Sequence, residues 1–246
     1  MKIALFSDIH ANLPALKAFF KDVDTRNIDV IYCLGDLVGY HIRPNEVIDE
    51  IQKRKIPTIA GNHDLKPPDF AQLEEEALSA TGKDYAYHII NAKNREYLST
   101  LPAHLQLQFQ FNGAQLNVFL THGSPRKVDE YVLIDTDEKV VLELMDGVKA
   151  DILCVAHSHK PYHRIIKAAS GAVKHVINTG SVGKPKDGDA RGGYIMLTIN
   201  SDTTEIGKDR IKVEFRRFSY DIEVAMQEIL DSPLPNELAE HLLSAN

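Results

Sequence analysis

Short, widely separated pieces of this chain carry His, Asp or Asn in settings suited to holding a metal ion. They are Asp8 and His10 in FSDIHAN, Asp36 in CLGDLVG, Asn62 and His63 in AGNHD, His122 in LTHGS, and His157 and His159 in VAHSHKP. Together they offer two Asp, one Asn and four His as ligands, with one His to spare. Such a set can fill two metal sites and leave one imidazole free for proton transfer. Asp8-x-His10 and His157-x-His159 each place two donors two residues apart. On an extended chain those side chains point to one side and can chelate one ion. One such pair is weak; two pairs joined by Gly-Asp and Gly-Asn-His make a specific pattern.

The elements that must position these residues follow from apolar periodicity. KIALFS, DVIYCLG and PTIAGN read as strands. Asn12 caps a helix whose apolar positions are Leu13, Leu16, Phe19, Phe20 and Val23, with Pro14 tolerated in its first turn. PNEVIDEIQKR opens a second helix, with Val47, Ile48 and Ile51 on its apolar face. The β-α-β-α-β order predicts parallel strands covered by helices. Residues 71–100 read as helical, broken near Thr81-Gly82. Leu105, Leu107, Phe109 and Phe111 alternate with glutamines, and Leu116, Val118 and Leu120 alternate beyond Asn112-Gly113, a hairpin signal. Residues 151–156, 162–167, 172–178, 192–199 and 210–218 read as further strands, and 221–244 as a tail of two short helices. About ten strands exceed one ordinary sheet. The expected fold is therefore α/β, two packed, mainly mixed β-sheets flanked by helices in a four-layer αββα sandwich. Every ligand candidate falls at or just past the end of a predicted strand, the edge where open α/β sheets gather their sites.

Length and composition bound the function classes. At 246 residues with no Gly/Ser linker, charge block or internal repeat, residues 1–246 are expected to form a single domain. MKIALF is too short an apolar run for a signal peptide, and no stretch approaches a membrane span, so a soluble, cytoplasmic protein is expected. A net charge of -7 argues against duplex nucleic acid as a partner. Cys33 and Cys154 lie in apolar runs without a Cys-x-x-Cys spacing and read as reduced core thiols.

Taken in this order, Asp-x-His, Gly-Asp, Gly-Asn-His-Asp, Thr-His-Gly and His-Ser-His resemble the calcineurin-like metallophosphoesterase superfamily. GDLVGYHIRPNEVI, INTGSVGKPKDGDARGGY and the C-terminal tail resemble its small, single-domain bacterial phosphodiesterase branch; the likeness is loosest over 66–112. The resemblance implies two divalent ions, manganese first, with iron, nickel or zinc as alternatives. Asp8, His10 and His159 would hold one ion, Asn62, His122 and His157 the other, and Asp36 would bridge them, with His63 as the acid. Two divalent ions set against two carboxylates and a hydroxide leave a single positive charge to draw a phosphate.

The implied activity is hydrolysis of phosphodiester bonds in small organic or nucleotide substrates by a metal-bridging hydroxide. The alternatives are a phosphomonoesterase, a dinucleoside polyphosphate hydrolase, or a non-catalytic scaffold of the same fold. Protein-phosphatase members carry an acidic residue three positions after the bridging Asp, which orients the acid His. Here that position is Gly39; Asp64 is the nearest alternative partner in sequence, or else a cap for the following turn. Arg126, Lys184, Lys186 and Arg191, with Lys127, read either as contacts for a substrate phosphate or as solvated surface charges, and Tyr40 and Tyr131 as candidate pocket walls. GSVGKP lacks the spacing of a phosphate loop and reads as a turn beside the site. His41, His88, His104, His163, His175 and His241 lack motif context and read as structural or exposed. The oligomeric state is not legible.

Overall fold

Asn12 starts the first helix as its side chain accepts from the Ala15 N–H at 3.1 Å, and the helix buries Ala15, Leu16, Phe19, Phe20 and Val23. The second helix begins on Pro44 and buries Val47, Ile48 and Ile51. The computed structural model describes residues 1–70, 73, 75–78, 82–111, 114–200 and 210–246. Its strands are β1 (Lys2–Phe6), β2 (Val30–Cys33), β3 (His104–Phe111), β4 (Ala114–Thr121), β5 (Ile152–Val155), β6 (Tyr162–Lys167), β7 (Val173–Asn178), β8 (Gly192–Ile199) and β9 (Ile211–Phe218). Its helices are α1 (Leu13–Val23), α2 (Pro44–Lys53), α3 (Glu75–Leu78), α4 (Tyr85–His88), α5 (Ala92–Ser99), α6 (Glu138–Gly147), α7 (Ile222–Leu230) and α8 (Glu237–Ser244).

Two mixed sheets result. One has the order β2-β1-β8-β9, the other β3-β4-β5-β7-β6. β1 runs parallel to β2, and β4, β5 and β7 run parallel to one another. Ile3, Leu5, Ile195 and Leu197 of the first sheet face Val118, Leu120, Ile152 and Ile177 of the second, forming the central core. The outer face of the first sheet, through Phe6, Tyr194 and Met196, packs on α1 and α2. The outer face of the second, through Leu153, Val155 and Val176, packs on Val141, Leu144 and Met145 of α6. The expected helix–sheet–sheet–helix layering is present. Among the described residues no helix is long and apolar enough to cross a membrane.

Two expectations about elements need correction. PTIAGN is not a strand: it makes one isolated bridge, Cys33 to Thr58. Pro57 has no N–H to extend the ladder. The stretch 71–100 is not helical throughout. Its described part holds the 3₁₀ turn Gly82–Asp84 and short helices, and Asn91 starts α5 afresh by accepting from the Asn94 N–H at 2.8 Å. Thr81 and the Asn112-Gly113 pair lie outside the described residues, while β3 and β4 pair from His104↔Thr121 to Phe111↔Ala114.

Candidate metal centre

Asp8 follows β1, Asp36 follows β2, His122 follows β4, and His157 and His159 follow β5, so four strand ends converge on one edge. The loops there are stitched together by backbone bonds. Asp8 N donates to Gly35 O at 3.0 Å, Ile9 N to Asp36 O at 2.9 Å, and Gly183 N to Asp8 O at 3.0 Å. Asp8, His10, Asp36, His157 and His159 all have positive φ, at 53°, 52°, 56°, 64° and 59°. The two x-spaced pairs therefore converge through left-handed turns, not through the extended backbone that their spacing suggested. Non-glycine residues pay roughly 1–2 kcal/mol each for that region, and such strain concentrates at functional sites.

Three imidazoles are pinned in the same way. His10 Nδ1 lies 2.9 Å from the Val38 carbonyl, His122 Nδ1 2.8 Å from the Leu34 carbonyl, and His159 Nδ1 2.5 Å from the Lys184 carbonyl. A carbonyl only accepts, so each Nδ1 carries a proton and each Nε2 is turned inward. His159 Nε2 is 3.2 Å from Asp8 Oδ1, His122 Nε2 is 3.3 Å from Asp36 Oδ2, and His10 Nε2 is 3.6 Å from Asp36 Oδ2. Asn62 Oδ1 lies 3.1 Å from His122 Nε2. His157 is half-buried, its ring 5.2 Å from that of His122 and stacked on Tyr131 at 4.2 Å.

The donors fit divalent cations on two counts. Asp8, His10, Asp36 and His159 form one group of potential ligands and Asp36, His122 and His157 another, each group's donor atoms lying within 4.8 Å of one another. Asp8 Oδ1 and Asp36 Oδ2 are buried and, among the described residues, accept no hydrogen bond. Their sister oxygens are engaged: Asp8 Oδ2 accepts from Ser7 Oγ at 2.5 Å, and Asp36 Oδ1 from the His63 N–H at 2.8 Å. A buried carboxylate oxygen facing only imidazoles needs positive charge beside it. Burial opposes both charged carboxylates, yet His159 holds Asp8 down, and His122, His63 and His10 hold Asp36 well below the usual range. Burial also pulls the His122 cation down, but Asp36 and Asp8 outweigh it and raise that imidazole to about 10. A proton there occupies the lone pair for which a divalent ion would compete. The oxygen and imidazole donors suit manganese, iron, nickel or zinc. Cys33 and Cys154 are buried free thiols, pushed up by burial, and belong to neither ligand group.

His63 lies beside the cluster, its ring 4.9 Å from that of His10. Its Nδ1 pairs with Tyr87 Oη on α4. Asp64 does not orient it. The Asp64 carboxylate accepts from the N–H groups of Asp36 at 2.7 Å, Leu37 at 2.8 Å and Gly61 at 2.9 Å, tying one ligand loop to the other. Burial and Asp36 push that carboxyl up to about 7. Gly39 explains the exchange of partners. A Cβ there would come within 2.7 Å of His63 Nδ1 and 3.1 Å of Tyr87 Oη, so the absent side chain leaves room for the tyrosine. No motif marked Tyr87. Ser7, which also bonds Thr179 Oγ1 at 2.7 Å, was signalled only by its adjacency to Asp8.

The four candidate phosphate contacts divide into two kinds. Arg126 pairs with Glu130 at 2.5 Å and Arg191 with Asp189 at 2.7 Å, each on its own exposed loop, so both guanidinia are already engaged. Lys184 is only 4 % exposed, with Nζ 4.9 Å from the centroid of the Tyr40 ring. Burial, with Lys186 nearby, pulls its ammonium down to about 8. Lys186 is half-buried and lies within the fields of Asp8 and Asp36. Tyr40 packs on His10 at 4.7 Å and on His63 at 4.8 Å. GSVGKP acts as a buttress: Ser181 Oγ donates to Asp8 O at 2.8 Å, and Lys184 supplies the carbonyl for His159.

Known proteins share this arrangement of chain and fold. The chain is 32 % identical to uncharacterized protein MJ0912 of Methanocaldococcus jannaschii, over 98 % of this chain and 96 % of the other. The structure matches a metallophosphoesterase from Sphaerobacter thermophilus with a TM-score of 0.77 at 27 % identity, covering 100 % of this chain and 99 % of that one. Hypothetical protein PH1004 of Pyrococcus horikoshii OT3 shares the fold at TM-score 0.78 and 21 % identity, over 100 % and 98 % of the two chains. Residues 1–202 match the model of the calcineurin-like phosphoesterase superfamily domain. With that match spanning most of its length, the chain belongs to the calcineurin-like phosphoesterase superfamily.

Proposed function

We propose that the protein hydrolyses phosphodiester bonds in small organic or nucleotide substrates at a pair of divalent ions, and that residues 1–246 work as one domain. Family membership supports metal-dependent phosphoester hydrolysis in general. The observation that carries the dinuclear reading is the pair of buried oxygens, Asp8 Oδ1 and Asp36 Oδ2, that face imidazoles and accept no hydrogen bond among the described residues, with Asp36 common to both ligand groups. Asp8, His10, Asp36 and His159 would hold one ion, and Asp36, Asn62, His122 and His157 the other. Bound there, the ions would supply Lewis-acid charge and hydroxide near neutral pH. Manganese remains the first choice. The buried reduced thiols suit a cytoplasmic setting.

The chain's own work is positioning and proton transfer. With Nδ1 occupied by Tyr87, His63 keeps Nε2 for a leaving oxygen. Burial pulls His63 down to about 4, with Lys66 acting in the same sense. An anionic phosphate beside it opposes that shift and favours the cation that donates. Lys184 and Lys186 supply positive charge for non-bridging oxygens, and the net charge of -7 disfavours duplex nucleic acid.

The test is turnover by metal-stripped protein resupplied with Mn²⁺, comparing bis(p-nitrophenyl) phosphate with p-nitrophenyl phosphate. Metal-dependent turnover favouring the diester is expected. Preference for the monoester would make the protein a phosphomonoesterase, and metal uptake without turnover of either would defeat the enzymatic reading.

A further inference from the structure

Between His122 and His157 the chain runs through a loop that leaves apolar side chains in water. Tyr131 stacks on His157 with 20° between the rings, and Leu133 and Ile134 beyond it are 38 % and 62 % exposed. The loop is held from behind. Tyr162 Oη donates to the Val132 carbonyl at 2.5 Å, Arg164 Nη1 to the Thr136 carbonyl at 2.7 Å, and Leu133 N to Thr136 Oγ1 at 2.7 Å. Val132 itself is buried against the α6 layer. Leu133 and Ile134 are thus presented on fixed backbone, which lowers the ordering cost of binding something there.

These two side chains wall a cavity of about 250 Å³, whose far side is formed by Ser158, Lys160, Pro161 and Tyr162. Ser158 stands between His157 and His159 in the chain, so the cavity borders the segment that carries two of the ligand candidates. Ligand pockets commonly span about 300–1,000 Å³, which makes this one large enough for a single ring and little more. Its rim is cationic toward the cluster: Lys160 is exposed and close enough to Lys186 for their charges to repel. Asp135 adds one acceptor at the lining.

We infer that this cavity takes a flat aromatic ring carried by the alcohol part of the phosphoester, seated on Leu133 and Ile134. The phosphate then lies at the cluster, between the cavity and the Tyr40–Lys184 wall. This rests on the phosphoesterase reading, and the test separates the two. Mn²⁺-loaded protein is titrated calorimetrically with phenylphosphonate and with methylphosphonate, neither of which has an ester bond to cleave.

Phenylphosphonate should bind about tenfold tighter, the order expected for burying one ring face. In Leu133→Ser and Ile134→Ser that advantage should shrink to about two- to threefold, with methylphosphonate affinity unchanged. Both positions are exposed, so folding is not at stake. Equal affinities in the wild type, no binding of either phosphonate, or an advantage that survives both substitutions would overturn the inference. Turnover of bis(p-nitrophenyl) phosphate by the wild type, measured in parallel, judges the phosphoesterase reading independently of the binding result.

Discussion

His163 and His175 sit on β6 and β7 as a stacked pair, Nε2 to Nδ1 at 2.9 Å, on regular extended backbone. His10, His122 and His159 are buried, as His175 is, yet each gives Nδ1 to a carbonyl and turns Nε2 toward a carboxylate. The first pair spends its polarity internally, since one ring's N–H meets the other's lone pair. The cluster leaves two carboxylate oxygens without hydrogen bonds among the described residues and holds five potential ligands at positive φ. Burial of a histidine therefore decides nothing about function. The direction of its second nitrogen and the cost of its backbone do.

Asp36→Asn should break this contrast most severely, because Asp36 Oδ2 belongs to both ligand groups. Metal analysis should show both ions lost, with kcat/KM down at least about 10²–10³-fold, the scale of deleting a catalytic electrostatic group. His175→Gln should leave metal content and turnover intact. Retention of two ions by Asp36→Asn would remove it as the bridge.

His63 sharpens the comparison because it mixes the two rules: it lies against the cluster, but its partner is a phenol. His63→Gln should keep both ions and lose about 10²–10⁴-fold on esters with poor leaving groups, the range of general acid catalysis. The loss on p-nitrophenyl esters should be far smaller; equal losses would mean that His63 does not protonate the leaving group. Tyr87→Phe should cost about tenfold, the low end for losing an orienting partner, and should shift the pH–rate profile. A purely structural role would leave that profile in place. Gly39→Ala should act in the same direction, since its Cβ would strike His63 Nδ1 and its φ is +92°.

What could be read beforehand follows from locality. The ligand motifs are short and self-contained, β6 and β8 end where their apolar patterns end, and the buried face of α1 recurs at helical spacing. Tyr87 could not be read, because its partner is 24 residues away and a helical reading of its segment does not say which side chain reaches the site. Adjacency left Asp64 open between orienting His63 and capping a turn; its oxygens instead face the Asp36 loop and Gly61. The carbonyls of Leu34, Val38 and Lys184 orient three imidazoles with atoms that every residue possesses, so residue type carries no trace of them. The left-handed turns were equally silent, since Asp and His stand where glycine would have announced them.

The smallest expected effect concerns the pair that does no chemistry. Burial, with repulsion from His163, pulls His175 down to about 4, against about 6.5 for an unperturbed histidine. Between those values an unfolded chain takes up a proton that the folded one refuses. Stability contributed by the neutral pair is therefore fully present above about pH 6.5 and is lost as pH falls toward about 4. The Tm of metal-free protein should decline across that window. His41 and His63, also pulled down to about 4 by burial, share in the slope, while Asp64, pushed up to about 7, opposes it, so His175→Gln should flatten it only in part. An unchanged slope in that variant would mean that the folded protein already accepts the proton at His175. The contrast between a closed histidine pair and an open ligand cluster would then rest on the direction of the nitrogens alone.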